Sequence, residues 1–125
     1  MKKLIYILLF IFTTAGFAQT KPVIKVITPQ NFGKEIQQED VQLIDVRTPK
    51  EYKEGHIEGA KNIDFLADDF LQNFTEKFDK NKPVYLYCRS GNRSAKASEK
   101  LQAEGFENII DLEGGYKAWS VTKEE

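Results

Sequence analysis

The sequence predicts an α/β domain on a central, mostly parallel sheet, and three observations carry that expectation. Short apolar runs recur at Val23–Ile27, Val41–Val46, Pro83–Tyr87 and Glu107–Leu112, each bounded by charged or turn-forming residues, as buried strands are. Stretches of helix formers or of helical apolar spacing lie between them, and strands alternating with helices build a parallel sheet covered by helices. The single cysteine, Cys88, follows one of those strands directly, where open parallel sheets take up ligands.

In chain order, Lys2 and Lys3 precede nine unbroken apolar residues, Leu4 to Phe12. Gly16 and Ala18 then stand at the −3 and −1 positions of a cut after Ala18. A charged start, a short apolar region and a small-residue cut site make residues 1–18 a signal peptide, so the protein is expected to be exported, periplasmic or secreted. The apolar run falls short of the about 20 residues a membrane-spanning helix needs, although an uncleaved anchor stays open. No cysteine follows the cut to accept a lipid. Residues 19–125 form a single domain. Removing residues 1–18 leaves 107 residues with 16 basic and 19 acidic side chains, a net charge of −3. Such a chain, with no basic run, gives no support for nucleic-acid binding, and no stable membrane association is expected after cleavage.

Val23–Ile27 is the first strand, and Thr28-Pro29 opens a helix over Gln30–Gln38, with proline early where it is tolerated. Val41–Val46 is the second strand. Glu51–Lys53 is expected to form a turn of helix before Gly55, and Asn62–Phe65 a short strand. Phe70, Leu71, Phe74 and Phe78 fall at helical spacing, so Asp68–Phe78 is an amphipathic helix with those rings in the core. Asp79–Pro83 turns the chain into the strand that ends at Tyr87. Ala95–Ala103 is a helix of good formers, stopped by Gly105. The strand Glu107–Leu112 follows, and Gly114-Gly115 turns into a helix over Tyr116–Val121 with Trp119 packed inward.

The chemistry concentrates in Cys88-Arg89-Ser90-Gly91-Asn92-Arg93-Ser94. A cysteine on a short loop that opens a helix meets inward-pointing amides and the partial positive charge of the helix start. Gly91 permits the backbone angles that close such a loop. Arg89 and Arg93 add two permanent positive charges. This setting favours the thiolate, and an apolar structural cysteine has no use for two arginines and small polar neighbours. One cysteine also means no internal disulfide, and no second thiol to resolve an oxidised form. One histidine leaves no convincing metal-ligand set. His56 between Gly55 and Ile57 is expected to be structural. Asp45 and Arg47 are expected to fix loops at a strand end. Glu51 and Glu58 are expected to be solvated. Tyr85 and Tyr87, two apart, share one face of their strand and pack in the core.

Three separated stretches together resemble the rhodanese (sulfurtransferase) family. They are Asp45-Val46-Arg47 with Glu51-Tyr52 and Gly55–Ile63, the Cys88–Ser94 loop, and Gly105–Ile109 with Leu112–Tyr116 and Trp119. Their order and spacing match a single-domain rhodanese over almost all of residues 19–125. The resemblance implies five strands flanked by helices, with Cys88 as the catalytic nucleophile and no cofactor. It implies transfer of sulfur from a small anionic donor, such as thiosulfate or a persulfide, to cyanide, a thiol or a protein acceptor. Arg89, Ser90, Gly91, Asn92, Arg93 and Ser94 would hold the donor through side chains and inward amides. Two rivals stand beside it. A related cysteine-loop phosphatase separates its cysteine and arginine by five residues, whereas four lie between Cys88 and Arg93, and the next position is Ser94. A sulfur carrier that loads without turning over would show the same loop, and turnover with a small donor separates the two.

Overall fold

The computed structural model describes residues 22–122. The elements are β1 (Val23–Ile27), α1 (Pro29–Glu35), β2 (Gln42–Asp45), α2 (Pro49–Glu54), β3 (Lys61–Asn62), α3 (Phe70–Lys77), β4 (Val84–Tyr87), α4 (Asn92–Ala103), β5 (Asn108–Leu112) and α5 (Gly115–Thr122). The five strands form one sheet in the order β1-β5-β4-β2-β3, parallel at every pairing. The expected α/β architecture is therefore realised, with a wholly parallel sheet. The proposed signal segment, residues 1–18, lies outside the described residues.

The central strand β4 is buried on both faces, as a parallel strand covered by helices must be. Its alternation divides the core in two. Val84, Leu86 and Cys88 enter one cluster with Phe70, Phe74, Phe78, Leu101 and Phe106, the rings contributed by α3 and the turn after α4. Tyr85 and Tyr87 enter the other with Phe32, Ile57, Leu112, Tyr116 and Trp119, between the sheet and the α1 and α5 layer. The tyrosines thus share a face, and the phenylalanines of α3 are core.

Helix starts explain most of the boundary differences. Thr28 accepts from the Asn31 amide at 3.3 Å and Pro29 takes the first helical position, so α1 begins one residue earlier than its spacing suggests. Thr48 and Glu51 form a reciprocal capping box, which extends the expected single turn to α2. Conversely, β3 is only two residues long. The Ile63 and Phe65 amides continue to the Asp45 and Val46 carbonyls (3.0 Å each), and the Asn62 side-chain amide adds bonds to the carbonyls of Asp45 (3.0 Å) and Arg47 (2.8 Å) at the carboxyl end of β2. Helix α4 starts at Asn92 rather than Ala95, because Gly91 takes a left-handed conformation (φ 114°) and serves as its N-cap residue. Asn92, Arg93 and Ser94 are thereby the first turn of a helix, not loop.

Candidate active site

Cys88 follows the last residue of β4 and is 1% exposed. The Gly91 amide donates to its sulfur at 3.0 Å. The thiol donates to Ser94 Oγ at 3.3 Å, and the Ser94 hydroxyl donates to the Gly91 carbonyl at 3.2 Å. The sulfur therefore sits at the start of a helix of 12 residues, where the partial positive charge of unpaired amides favours an anion. Rotation of the Ser94 hydroxyl would turn it from acceptor of the thiol to donor to a thiolate.

The loop is oriented from outside by α5. The amide of Tyr116 donates to the Cys88 carbonyl at 2.8 Å, and that of Lys117 to the Arg89 carbonyl at 3.0 Å. Both carbonyls are drawn toward α5, and each peptide plane is fixed by that bond. This needs a close approach at Gly115, where a Cβ would stand 2.5 Å from the Arg89 oxygen and 2.6 Å from the Cys88 oxygen. Gly115 also has φ +63°. In the sequence Gly114-Gly115 reads as a turn within the Leu112–Tyr116 stretch, and the close approach of Gly115 to the cysteine loop is not visible there. The available signal was a glycine pair at a helix start within reach of the cysteine loop.

A second layer holds the neighbouring strand end. Arg47 forks onto Asp45, with Nη2 2.7 Å and Nε 3.0 Å from Asp45 Oδ2, and donates from Nη2 to the Gly55 carbonyl at 2.6 Å. Its guanidinium lies over the Tyr116 ring at 4.3 Å. Burial opposes its charge, but Asp45 outweighs burial and raises the Arg47 pKa. The Tyr87 hydroxyl accepts from the Ile57 amide at 3.0 Å, and burial followed by the Asp45 charge pushes its pKa up. Asp45 and Arg47 are thus the expected loop-fixing pair. His56 is exposed, stacks on Tyr52 at 3.7 Å and places Nδ1 2.8 Å from the Tyr52 carbonyl, which is a structural setting.

One expectation is corrected. Glu51 is not left to solvent alone: half-buried, it grips Arg93 with two bonds, Nη1 to Oε1 at 2.7 Å and Nη2 to Oε2 at 2.9 Å. The Arg93 bond, opposed by burial and helped by Thr48, holds the Glu51 carboxyl down at about 2. The same bond raises Arg93. Position alone could not reveal this partnership, because the two residues lie 42 apart and meet only when α2 and α4 converge. Arg89, by contrast, is exposed and carries no ion pair among the described residues. With Lys117, Arg47, Tyr116, Glu51 and Glu54 it lines a cleft of about 370 Å³ beside the loop. Ser90 and Asn92 are exposed, and Gly91 is half-buried. A small anion entering the cleft meets Arg89 and Lys117 as its free cations.

The sequence profile of the rhodanese-like domain matches residues 28–122. The chain is 34% identical over 123 residues to the uncharacterized protein YqhL of Bacillus subtilis, covering 95% of this chain and 94% of that one. It is 34% identical over 84 residues to the thiosulfate sulfurtransferase GlpE of Coxiella burnetii, covering 67% and 76% of the two chains. A rhodanese-like domain protein from Staphylococcus aureus superposes with a TM-score of 0.67 at 38% identity, over 76% of this chain and 90% of that one.

Proposed function

The chain belongs to the rhodanese-like domain family, and from that premise we propose that it is a sulfurtransferase working through a persulfide on Cys88. The thiolate attacks the outer sulfur of a donor such as thiosulfate. A bond forms between Sγ and that sulfur as the donor's own S–S bond breaks, and sulfite leaves with the electron pair. A thiophile such as cyanide or a thiol then bonds to the outer sulfur, and Cys88 regains the pair. Splitting one transfer into two displacements is covalent catalysis, with ping-pong kinetics.

The observation that carries this reading is the Gly91 amide 3.0 Å from Sγ, in a loop whose carbonyls are tied back to α5. Such fixed donors stabilise charge on sulfur without reorganising. Ser94 supplies a further donor once its hydroxyl turns. Arg93 contributes a fixed positive charge held by Glu51, while exposed Arg89, aided by Lys117, takes the anionic donor. Ser90 and Asn92 are exposed in the loop and the first turn of α4, in reach of solvent rather than of the sulfur's own bonds. The charged start and cut site of residues 1–18 support an exported, periplasmic or secreted enzyme.

The test is sulfur transfer from thiosulfate to cyanide by the purified protein beside Cys88→Ser, with intact mass after thiosulfate treatment. Turnover and a gain of one sulfur atom, both lost in the variant, are expected. A gain without turnover would make the protein a carrier awaiting a partner. No retained sulfur would refute the persulfide.

A further inference from the structure

The cleft beside the cysteine loop carries more charge than an anionic donor can use. Five charged side chains line it: Arg47, Glu51, Glu54, Arg89 and Lys117. Two are already committed, Arg47 to Asp45 and Glu51 to Arg93. The side chains of Glu54, Arg89 and Lys117 make no hydrogen bond or ion pair among the described residues, and all three residues are exposed. The two cations sit together, since the Lys117 amide donates to the Arg89 carbonyl at 3.0 Å. Glu54, the last residue of α2, stands on the other wall. Tyr116 joins the walls: it precedes Lys117, and its hydroxyl lies 2.9 Å from where a Cβ on Gly55 would stand, next to Glu54. That hydroxyl also has no hydrogen-bond partner among the described residues.

Nothing in the fold calls for an acid at Glu54. At the carboxyl end of a helix it faces the partial negative charge of unpaired carbonyls, where a base is preferred. It is nonetheless held in place: a capping box fixes the start of α2, and Arg47 fixes its end by donating to the Gly55 carbonyl at 2.6 Å. Toward a dianionic donor, an unpaired carboxylate on the cleft wall is repulsive. The volume of about 370 Å³ equals roughly a dozen waters at about 30 Å³ each, more than thiosulfate fills. Room, two cations and one facing anion suit a larger molecule that carries both a carboxylate and an ammonium. In a two-step transfer, the molecule that enters second is the sulfur acceptor.

We propose that the cleft selects a zwitterionic thiol, one bearing the ammonium and carboxylate of an α-amino acid, as the sulfur acceptor, with Glu54 as the residue that reads its ammonium. This rests on the persulfide reading of Cys88. Glu54 receives the ammonium, with the Tyr116 hydroxyl beside it, and Lys117 and Arg89 receive the carboxylate once sulfite has left. Opposite charges on opposing walls orient the acceptor and discriminate against thiols that carry only one of the two groups. The acceptor thiol gives its proton to solvent, and its sulfur attacks the outer, protonated sulfur of the Cys88 persulfide. A bond forms between those two sulfurs as the bond to Sγ breaks. Cys88 keeps the electron pair as a thiolate, and the acceptor leaves as a hydropersulfide.

The test loads the full chain with thiosulfate and follows single-turnover unloading as the loss of one sulfur atom in intact mass. The chain has one cysteine, so the loaded position is unambiguous. The probes are L-cysteine, cysteamine, which lacks the carboxylate, and 3-mercaptopropionate, which lacks the ammonium. Each variant is compared with wild type on the same thiol, so intrinsic thiol reactivity cancels. Glu54→Gln is expected to slow unloading by cysteine and cysteamine about tenfold relative to 3-mercaptopropionate. Glu54→Lys is expected to widen that gap, and Lys117→Gln to slow cysteine and 3-mercaptopropionate relative to cysteamine. Glu58→Gln makes the same charge change outside the cleft and is expected to match wild type with every thiol. Equal slowing of all three thiols by Glu54→Gln, or of none, overturns the proposal, as does an equal effect of Glu58→Gln. A protein that never gains the sulfur sinks the persulfide reading and this one with it, whereas loaded protein that unloads indifferently sinks this one alone.

Discussion

Gly115→Ala is the sharpest perturbation available, because it touches neither the sulfur nor any charged group. The added Cβ would stand 2.5 Å from the Arg89 carbonyl oxygen, and ordinary contact begins at 3.4 Å, so about 0.9 Å must be found. The atoms it would meet are backbone atoms of Cys88 and Arg89, which cannot swing aside as a side-chain end can. A side chain at φ +63° adds a left-handed cost of about 1–2 kcal/mol. Overpacking adds about 1–3 kcal/mol, and each bond lost between α5 and the loop about 1 kcal/mol. A total of about 3–6 kcal/mol is a large share of a typical stability of about 5–15 kcal/mol. If the chain stays folded, the relief comes from moving the peptides on either side of Arg89, and a misplacement of about 1 Å costs about 100-fold in rate. Thermal unfolding and thiosulfate-to-cyanide turnover are the two assays. Gly59→Ala is the control, with φ +85° and nothing within 4 Å of its Cβ, so it meets the backbone cost alone. The expected result is a midpoint lowered by more than about 10 °C and turnover lowered about 100-fold in Gly115→Ala, with turnover unchanged in Gly59→Ala. Equal behaviour of the two variants would refute the view that close approach of α5 orients the loop.

Glu51→Gln removes the grip on Arg93. The folded carboxyl titrates at about 2, below its ordinary 4.5, so its stabilisation is full above 4.5 and disappears as pH falls through 2. Because the pair is partly solvated, the variant is expected to lose only about 1 kcal/mol at pH 7 in urea titrations, with no difference from wild type by pH 2. Arg47→Lys keeps the charge but cannot fork onto Asp45 while also bonding Gly55, and should cost about 2–4 kcal/mol by the same measurement. Asp111, buried on β5, has the opposite sign to Glu51. Burial pushes its folded value up to about 6, above the ordinary 3.8, so its contribution is full below 3.8 and is lost as pH rises through 6. Asp111→Asn should therefore gain on wild type by about 1–3 kcal/mol at pH 8, with the gain gone at pH 4.

Strand and helix positions were legible where period and composition spoke together. The all-apolar Val84–Leu86 run, the ring spacing of α3 and the proline at the start of α1 each carry their cause in neighbouring residues. What was not legible depends on partners distant in sequence. The tie of the Asn62 side chain to the end of β2 reaches carbonyls 15 and 17 residues away. The early start of α4 follows from one backbone angle at Gly91. Within the site, Cys88 and its loop were visible because nucleophile, glycine and arginines are contiguous. The division of labour between Arg89 and Arg93 was invisible, since it is decided by Glu51 on α2. Asp111 reads as an ordinary strand-end residue until the register sets it beside Leu86.

The alternation of β4 ties the site to the core. Cys88 continues the Val84 and Leu86 face, so the sulfur shares its cluster with α4 and, through β5, with Asp111. Tyr87 belongs to the opposite face, where its hydroxyl holds the Ile57 amide and its ring stacks near Tyr116 at 6.1 Å. Tyr116 in turn stacks under Arg47 and donates its amide to the Cys88 carbonyl. The peptide of Cys88 is thus gripped from one side of the sheet while its sulfur is solvated by groups from the other. A shift of β4 by one residue would exchange the two faces. It would bury a tyrosine under α4 and leave the thiol facing Arg47, far from the Gly91 amide. The same pairing that buries the core therefore selects the chemistry available at the end of the strand.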